Sequence, residues 1–390
     1  MMDAQRQFTD FYLAPGGPVD RLQERLRLMR TDDKRLGPRA LLAAAVCWVP
    51  LVVLALVAPN RAAEISFFHD LAVHVRCLLV IPLLIIAAGP IGARSRMVVT
   101  QFLSSGLVSD DDADHFETVL RRGRRMRDSW LAELVVLAVS VALVYTSIRG
   151  VEAESSVFWF EHVTPTGSDL TGAGWWYAVA SRLLLVFLLV RWAWRYLIWW
   201  WFLGRVARLN LNLTGTHPDG MGGLGFVPFH QAVFGFLGFA VGCAVSAAAA
   251  NRILYAGVSL MSYRNALIGI VLLGVILGVA PMFVFTPRLV RTKIKNWMSY
   301  SRFASAYVWM FEQKWLQKPK PDPEALGSGD IQSLADLGGG FERLVAMRPV
   351  AVDRRLIIAF VVACAAPLLP LMLTVMPFKE IMRLMMKAVM

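Results

Sequence analysis

Seven long apolar runs, separated by segments where charge and glycine return, set the plan of this chain of 390 residues. They lie near Leu41–Val57, Ala72–Ala93, Trp130–Ile148, Tyr177–Leu203, Ala232–Tyr255, Ala266–Phe285 and Leu356–Met376. Each approaches the roughly 20 residues that an α-helix needs to cross a hydrocarbon core about 30 Å thick. The pattern predicts an all-α polytopic membrane protein of about seven transmembrane helices, with helical cytosolic extensions.

Between the runs, the polar segments read as helix extensions more than as separate domains. Asp112–Arg127 carries acids early and arginines late, which suits a helix macrodipole, and it leads into the third run. Arg288–Gln317 mixes basic and aromatic residues at helical spacing. Lys318–Pro323 (KPKPDP) cannot be regular helix and marks a linker. Ile331–Met347 resumes an amphipathic pattern, broken by Gly338, Gly339 and Gly340. The expected organisation is a cytosolic segment over 1–39 and a six-span core over 40–287 with a cytosolic helix at 110–128. A cytosolic helical and linker region follows over 288–353, then the last span and an amphipathic C-terminus over 354–390.

Charge then sets the orientation. Of 40 Lys and Arg, 29 fall in the segments placed inside when the N-terminus is cytosolic, 8 fall outside, and three lie in the fourth run. That bias is the positive-inside signal, and it puts the C-terminus outside if the seventh run crosses fully. The net charge of +12 is therefore largely topological, with anionic lipids at the cytosolic face as the expected partner and nucleic acid excluded. At 57% apolar and 17% charged residues, the composition also excludes an ordinary soluble domain. Nearly forty mixed-charge residues precede the first apolar run, so no cleavable signal peptide is expected. Cys47, Cys77, Cys243 and Cys364 all fall in apolar runs without close pairing, which indicates buried thiols and neither disulfides nor a zinc site.

The fourth run bears the most informative chemistry: Arg182, Arg191 and Arg195. An arginine at mid-bilayer costs roughly 2.5–3.5 kcal/mol on insertion scales, so it is normally paired, cavity-facing or snorkelling. Arg191 and Arg195, four apart, share a helix face. They are candidates for an anion pathway or an anion-binding site, against snorkelling for Arg182 and Arg195 and an ion pair for Arg191. Glu133 in the third run is the nearest plausible partner.

Three further places carry ionisable or helix-breaking residues. Asn210–His230 holds His217, Asp219 and His230 among glycines that include Gly222 and Gly223. It reads as a re-entrant element, a phosphate-cradling loop or a tight turn; it is neither a P-loop nor a zinc motif. Pro367, Pro370 and Pro377 interrupt the last run, as helices do at transporter sites and also at ordinary kinks. Near the outer end of the second run, His69, Asp70, His74 and Arg76 cluster. The expectation there is an Asp70–His74 hydrogen-bonded pair, with a metal site or proton relay as the alternative. In the acidic outer loop, Phe158–Phe160 is expected to sit at the headgroup level, with a lid over an outer cavity as the other reading.

The stretches HPDGMGGLGF (His217–Phe226), IQSLADLGGGFERLVAMRPV (Ile331–Val350) and APLLPLMLTVMPFKEIM (Ala366–Met382) resemble an uncharacterised family of bacterial polytopic membrane proteins. The resemblance implies a multi-pass protein of the bacterial inner (cytoplasmic) membrane and brings no activity with it. The topology alone is similar to that of insect odorant receptor channels, with no residue motif in common. Polar residues in spans and interrupted helices, without a catalytic constellation, point first to a channel or transporter, possible substrates being anions. The alternatives are an enzyme acting on lipid or polyprenyl phosphates, with His217 and Asp219 in acid–base roles, and a sensor or scaffold with a cytosolic partner. No cofactor or metal is expected; the bilayer, and further copies of the chain in a homo-oligomer, are.

Overall fold

The structure is a computed structural model that describes residues 13–14, 16–25, 36–58, 66–151, 159–164, 167–317, 323–325 and 327–373. Among these, ten helices carry the architecture. A short α1 (Pro18–Arg25) precedes α2 (Leu36–Val57), α3 (Leu71–Ser104), α4 (Ala113–Arg127) and α5 (Trp130–Val151). A two-stranded antiparallel ribbon follows, β1 (Glu161–Thr164) paired with β2 (Gly167–Leu170), Glu161 opposite Leu170. Then come α6 (Gly172–Val206), α7 (Phe226–Tyr255), α8 (Leu260–Leu316), α9 (Gly329–Ala346) and α10 (Arg354–Met372). Seven of them, α2, α3, α5, α6, α7, α8 and α10, are long and apolar enough to cross a membrane, so the chain is an all-α polytopic protein. The ribbon in the outer loop is the only sheet among the described residues. The linker at 318–322, Phe158 and the amphipathic end at 374–390, with Pro377, lie outside the described residues.

The helices run past the apolar runs because charged flanks continue the hydrogen-bond ladder into the interface. α6 has 35 residues, about 52 Å at 1.5 Å per residue, against a core of about 30 Å. α8 has 57 residues, and its second half joins α9 through Tyr307, whose hydroxyl reaches the Asp330 carbonyl at 3.3 Å. Three of these helices loosen into π-helical turns, Arg76–Val80 in α3, Tyr177–Arg182 in α6 and Glu312–Leu316 at the end of α8. The first two turns face each other: Arg76 Nη1 donates to the Tyr177 hydroxyl at 2.7 Å. Such turns widen the backbone ladder and are frequent at functional sites.

Packing follows residue size. α10 approaches α7 and α8 where glycines leave room: Cys364 Sγ lies against Gly238 and Gly274, and the Phe360 ring covers Gly278. Small residues allow this closeness in a solvent that offers no hydrophobic drive between spans. Polar side chains also tie the spans to one another. Trp199 Nε1 donates to Gln231 Oε1 at 2.8 Å, and Gln231 Nε2 donates to the Gly278 carbonyl at 2.9 Å, which ties α6, α7 and α8 together.

The outer cap differs from the headgroup-level expectation. Trp159 and Phe160 are buried, and Trp159 Nε1 donates to Asp70 Oδ2 at 3.0 Å. Asp70 also accepts from Asn251 Nδ2 at 2.7 Å and from the Val73 N–H at 3.1 Å, as an N-cap. His74 turns instead to Trp48, which donates to its Nδ1 at 2.9 Å. The expected Asp70–His74 pair therefore does not form. A buried carboxylate has to collect donors, and three from other positions satisfy Asp70 better than one imidazole.

Candidate functional site

The arginine-bearing face of α6 meets a segment from the far end of the chain. The Arg195 guanidinium donates to Asp20 Oδ2 at 3.0 Å and to the Gly16 carbonyl at 2.6 Å. Arg191 reaches the same Asp20 oxygen at 3.2 Å and the Gly16 carbonyl at 3.2 Å. Its Nε stands 2.8 Å from Glu133 Oε1 on α5, and Arg39 at the start of α2 lies 3.6 Å from Asp20 Oδ1. Three guanidinium groups thus surround two carboxylates, and Asp20, Glu133, Arg191 and Arg195 are all buried. The Arg195 guanidinium also lies over the Trp192 ring, 5.4 Å from its centroid, where the ring quadrupole favours a cation.

Chain order gives the depth of this cluster. Glu133 belongs to the first turn of α5, Arg39 to the first turn of α2, and both helices start on the cytosolic side set by the loop charges. Arg191 and Arg195 therefore sit at the inner end of the bundle, not at mid-bilayer. Glu133 is found as the partner of Arg191. Arg182 is not brought to the cluster: half-buried, it lies nine residues earlier, about 13 Å up the same helix.

The unexpected member is Asp20. The local sequence explains its placement. Gly16 and Gly17 both take positive φ, 153° and 111°, and Pro18 then starts α1 at a position that needs no N–H donor. The turn aims Asp20 back so that the Gly16 N–H donates to its Oδ2 at 2.7 Å. Upstream, Leu13 and Ala14 are fully buried, and the Leu13 N–H donates to Ser95 Oγ on α3 at 3.0 Å. Residues 13–14 and 16–20 thus form a strap across the inner ends of α3, α5 and α6. Burial alone would raise the Asp20 carboxyl. The Arg195 and Arg191 guanidiniums and the Gly16 N–H outweigh it and hold the group at about 2.

Two cavities open above this cluster. The first, about 420 Å³, lies between α2, α3 and α6, with apolar walls that include Val46, Leu84 and Leu188 and a floor of Asp20, Arg39, Arg191 and Arg195. Its upper end reaches Ala180 and Cys47, beside the π-helical turn of α6. The second, about 340 Å³, lies between α5 and α6, is walled by Leu134, Leu137 and Leu183, and ends at Glu133. Val19, Leu184 and Phe187 border both.

The glycine-rich loop resolves as a turn that uses its own donors. The Asp219 carboxylate accepts from the Met221, Gly223 and Gly225 N–H groups at 2.8, 3.1 and 2.8 Å. Those are the groups that a phosphate-cradling loop would turn toward its ligand. Gly222 and Gly223 need their positive φ of 67° and 99°, and a side chain there would also meet Met347 and Leu107. The Gly220 carbonyl accepts from the Arg348 N–H at 2.8 Å, which clamps the loop to the end of α9. Burial opposes ionisation of Asp219, but the Met221, Gly225 and Gly223 N–H groups prevail and lower its pKa below the usual carboxylate value. His217 Nδ1 stands 2.9 Å from Asp219 Oδ1, while His230 lies on α7 with Nδ1 3.4 Å from Arg94. No metal-binding group of histidines, cysteines and acids occurs among the described residues. Cys47, Cys77, Cys243 and Cys364 are free buried thiols.

No protein-family model matches this chain, and comparison with curated proteins and with solved structures gives no match.

Proposed function

We propose that this integral membrane protein is a transporter whose substrate is an amphipathic organic anion taken into the cavity between α2, α3 and α6. One observation carries the reading: the loosened turn of α6, through Ala180, and the arginines of α6 border the same cavity, apolar along its walls and charged at its inner end. A volume of about 420 Å³ falls in the range of small-molecule sites, with few polar groups among apolar ones. Interrupted spans beside a charged site are the usual construction of secondary transporters. A wetted pore for small anions fits less well, because Arg191 and Arg195 face carboxylates and the walls above them offer no polar lining. The lipid-phosphate enzyme loses its acid–base groups with Asp219 occupied by its own backbone.

The test is transbilayer movement in proteoliposomes. An NBD-labelled phosphatidic acid is followed by dithionite quenching, and chloride by an internal indicator. The expected result is movement of the labelled amphiphile without chloride flux, lost in Arg191→Ala protein that keeps its elution profile. Chloride flux without amphiphile movement, or movement of neither under any gradient, overturns the proposal.

A further inference from the structure

The two cavities and the strap have a common geometry. Both cavities start at the same ionic cluster, and they diverge on either side of Leu184 and Phe187 of α6. From Ala180 to Arg191 the first follows eleven residues of helix, about 16 Å, which is half of the hydrocarbon core. The first slot is therefore about one leaflet deep, and the second follows α6 from Phe187 up to Val179, about 12 Å. A charged centre at the cytosolic interface with two apolar slots rising from it has the shape of one lipid of the inner leaflet, headgroup down and chains parted around a helix.

The donor arrangement names the headgroup. Arg191 and Arg195 converge on one Asp20 oxygen and Arg39 lies 3.6 Å from the other, so a group that replaces this carboxylate has to be an anion. Asp20 occupies the position such a group would take: one carboxylate oxygen accepts from both Arg191 and Arg195, as a phosphate oxygen would. The pairing to Glu133 is incomplete, since Arg191 Nε and Glu133 Oε1 stand 2.8 Å apart without a hydrogen-bond alignment, and both residues are buried. Asp20, moreover, is carried by α1 and the Gly16–Gly17 turn rather than by a span.

We propose that the seat of Asp20 is the headgroup site for a two-chain anionic lipid, and that the strap over residues 16–20 and the lipid headgroup occupy it in turn. The strap is then a tethered competitor, and the resting protein holds its own carboxylate where the lipid phosphate binds. This rests on the cavity reading above, and it adds the chain number, the charge of the headgroup and the competition.

Binding, not transport, tests it. Purified full-length protein is titrated with dioleoyl phosphatidic acid, dioleoyl phosphatidylcholine, oleoyl lysophosphatidic acid and inorganic phosphate, and occupancy is read by native mass spectrometry. The expected order is diacyl anion over lyso anion over zwitterion, with no retention of free phosphate and at least tenfold preference for phosphatidic acid over phosphatidylcholine. Asp20→Asn should raise phosphatidic acid affinity severalfold, and Arg191→Ala with Arg195→Ala should abolish the preference. Val19→Trp, which leaves every charge in place and fills the junction of the slots, should weaken the diacyl lipid more than the lyso lipid. Equal binding of the two diacyl lipids overturns the headgroup assignment. Unchanged or weaker binding in Asp20→Asn, with selectivity intact, overturns the competition but leaves the cavity reading standing. Absence of any amphiphile binding removes both.

Discussion

Replacing Asp20 by alanine removes the one group that Arg191, Arg195 and the Gly16 N–H share, at 3.2, 3.0 and 2.7 Å. The group is about 7% exposed, so little solvent compensates for its loss. Breaking a buried ion pair from one side typically costs about 3–5 kcal/mol, because the other charge is left behind. Glu133 still faces Arg191, and release of the strap lets water reach the guanidiniums, so the lower figure applies. The cost falls on the strap, since α1 touches the bundle through Asp20 and a few neighbours while the spans are held by their own packing. At 1.4 kcal/mol per tenfold, about 3 kcal/mol raises the open fraction of the strap on the order of a hundredfold. Hydrogen exchange reads this directly, because the Arg21 amide bonded to the Gly17 carbonyl at 3.1 Å exchanges through strap opening. Protection over residues 16–25 should fall by about two orders of magnitude in Asp20→Ala, with the span amides unchanged. Arg21→Ala is the control: its pair with Asp128 at 3.6 Å is half exposed and is worth well under 1 kcal/mol. If Asp20→Ala changed strap protection by less than about threefold, the cluster would not be what holds the strap.

Acid acts on the same contact with a defined sign. With its folded value at about 2, below the ordinary 3.8, Asp20 contributes about 2 kcal/mol of strap docking above pH 3.8, lost as pH falls toward 2. Strap protection should therefore be flat from pH 8 to 5; a release midpoint near pH 6 would contradict the assignment. Asp219→Ala leaves three backbone donors of the cytosolic loop without their acceptor and should cost about 2–3 kcal/mol, seen as a lower melting temperature with lipid selectivity intact. A loss of lipid selectivity there would move the site to the loop. At the outer cap, Trp159→Phe should cost about 1–2 kcal/mol by taking one donor from the buried Asp70, with faster exchange in the β1–β2 ribbon. No change in ribbon exchange would return Trp159 to the headgroup region.

Hydropathy made the spans legible, because in lipid every backbone group must be satisfied within its own segment and only long apolar helices achieve that. The pairing of Arg191 with Glu133 was legible for a related reason: acids in spans are few, so the candidate partners are few. Asp20 was not. It lies 171 residues from Arg191, in a stretch that reads as a mixed-charge cytosolic tail. The local signal was Gly16-Gly17-Pro18 followed by an acid in the first helical turn, which marks a turn and a helix start but not where the helix docks. Trp159 misled for a different reason. An indole with an apolar body and one N–H donor suits the headgroup belt and a buried carboxylate equally, and only the fold brings Asp70 within 3.0 Å. At the glycine loop, the sequence left turn and phosphate cradle open; the three N–H groups gathered on Asp219 decide for the turn.

The most direct test of the account is single-particle imaging of the protein in nanodiscs of dioleoyl phosphatidic acid and dioleoyl phosphatidylcholine, comparing wild type with Asp20→Asn. The account predicts strap density over Arg191 and Arg195 in the wild type. In the variant it predicts a headgroup there instead, with two chains parted by Leu184 and Phe187. A strap seated identically in both proteins, with featureless lipid in the two slots, would contradict it.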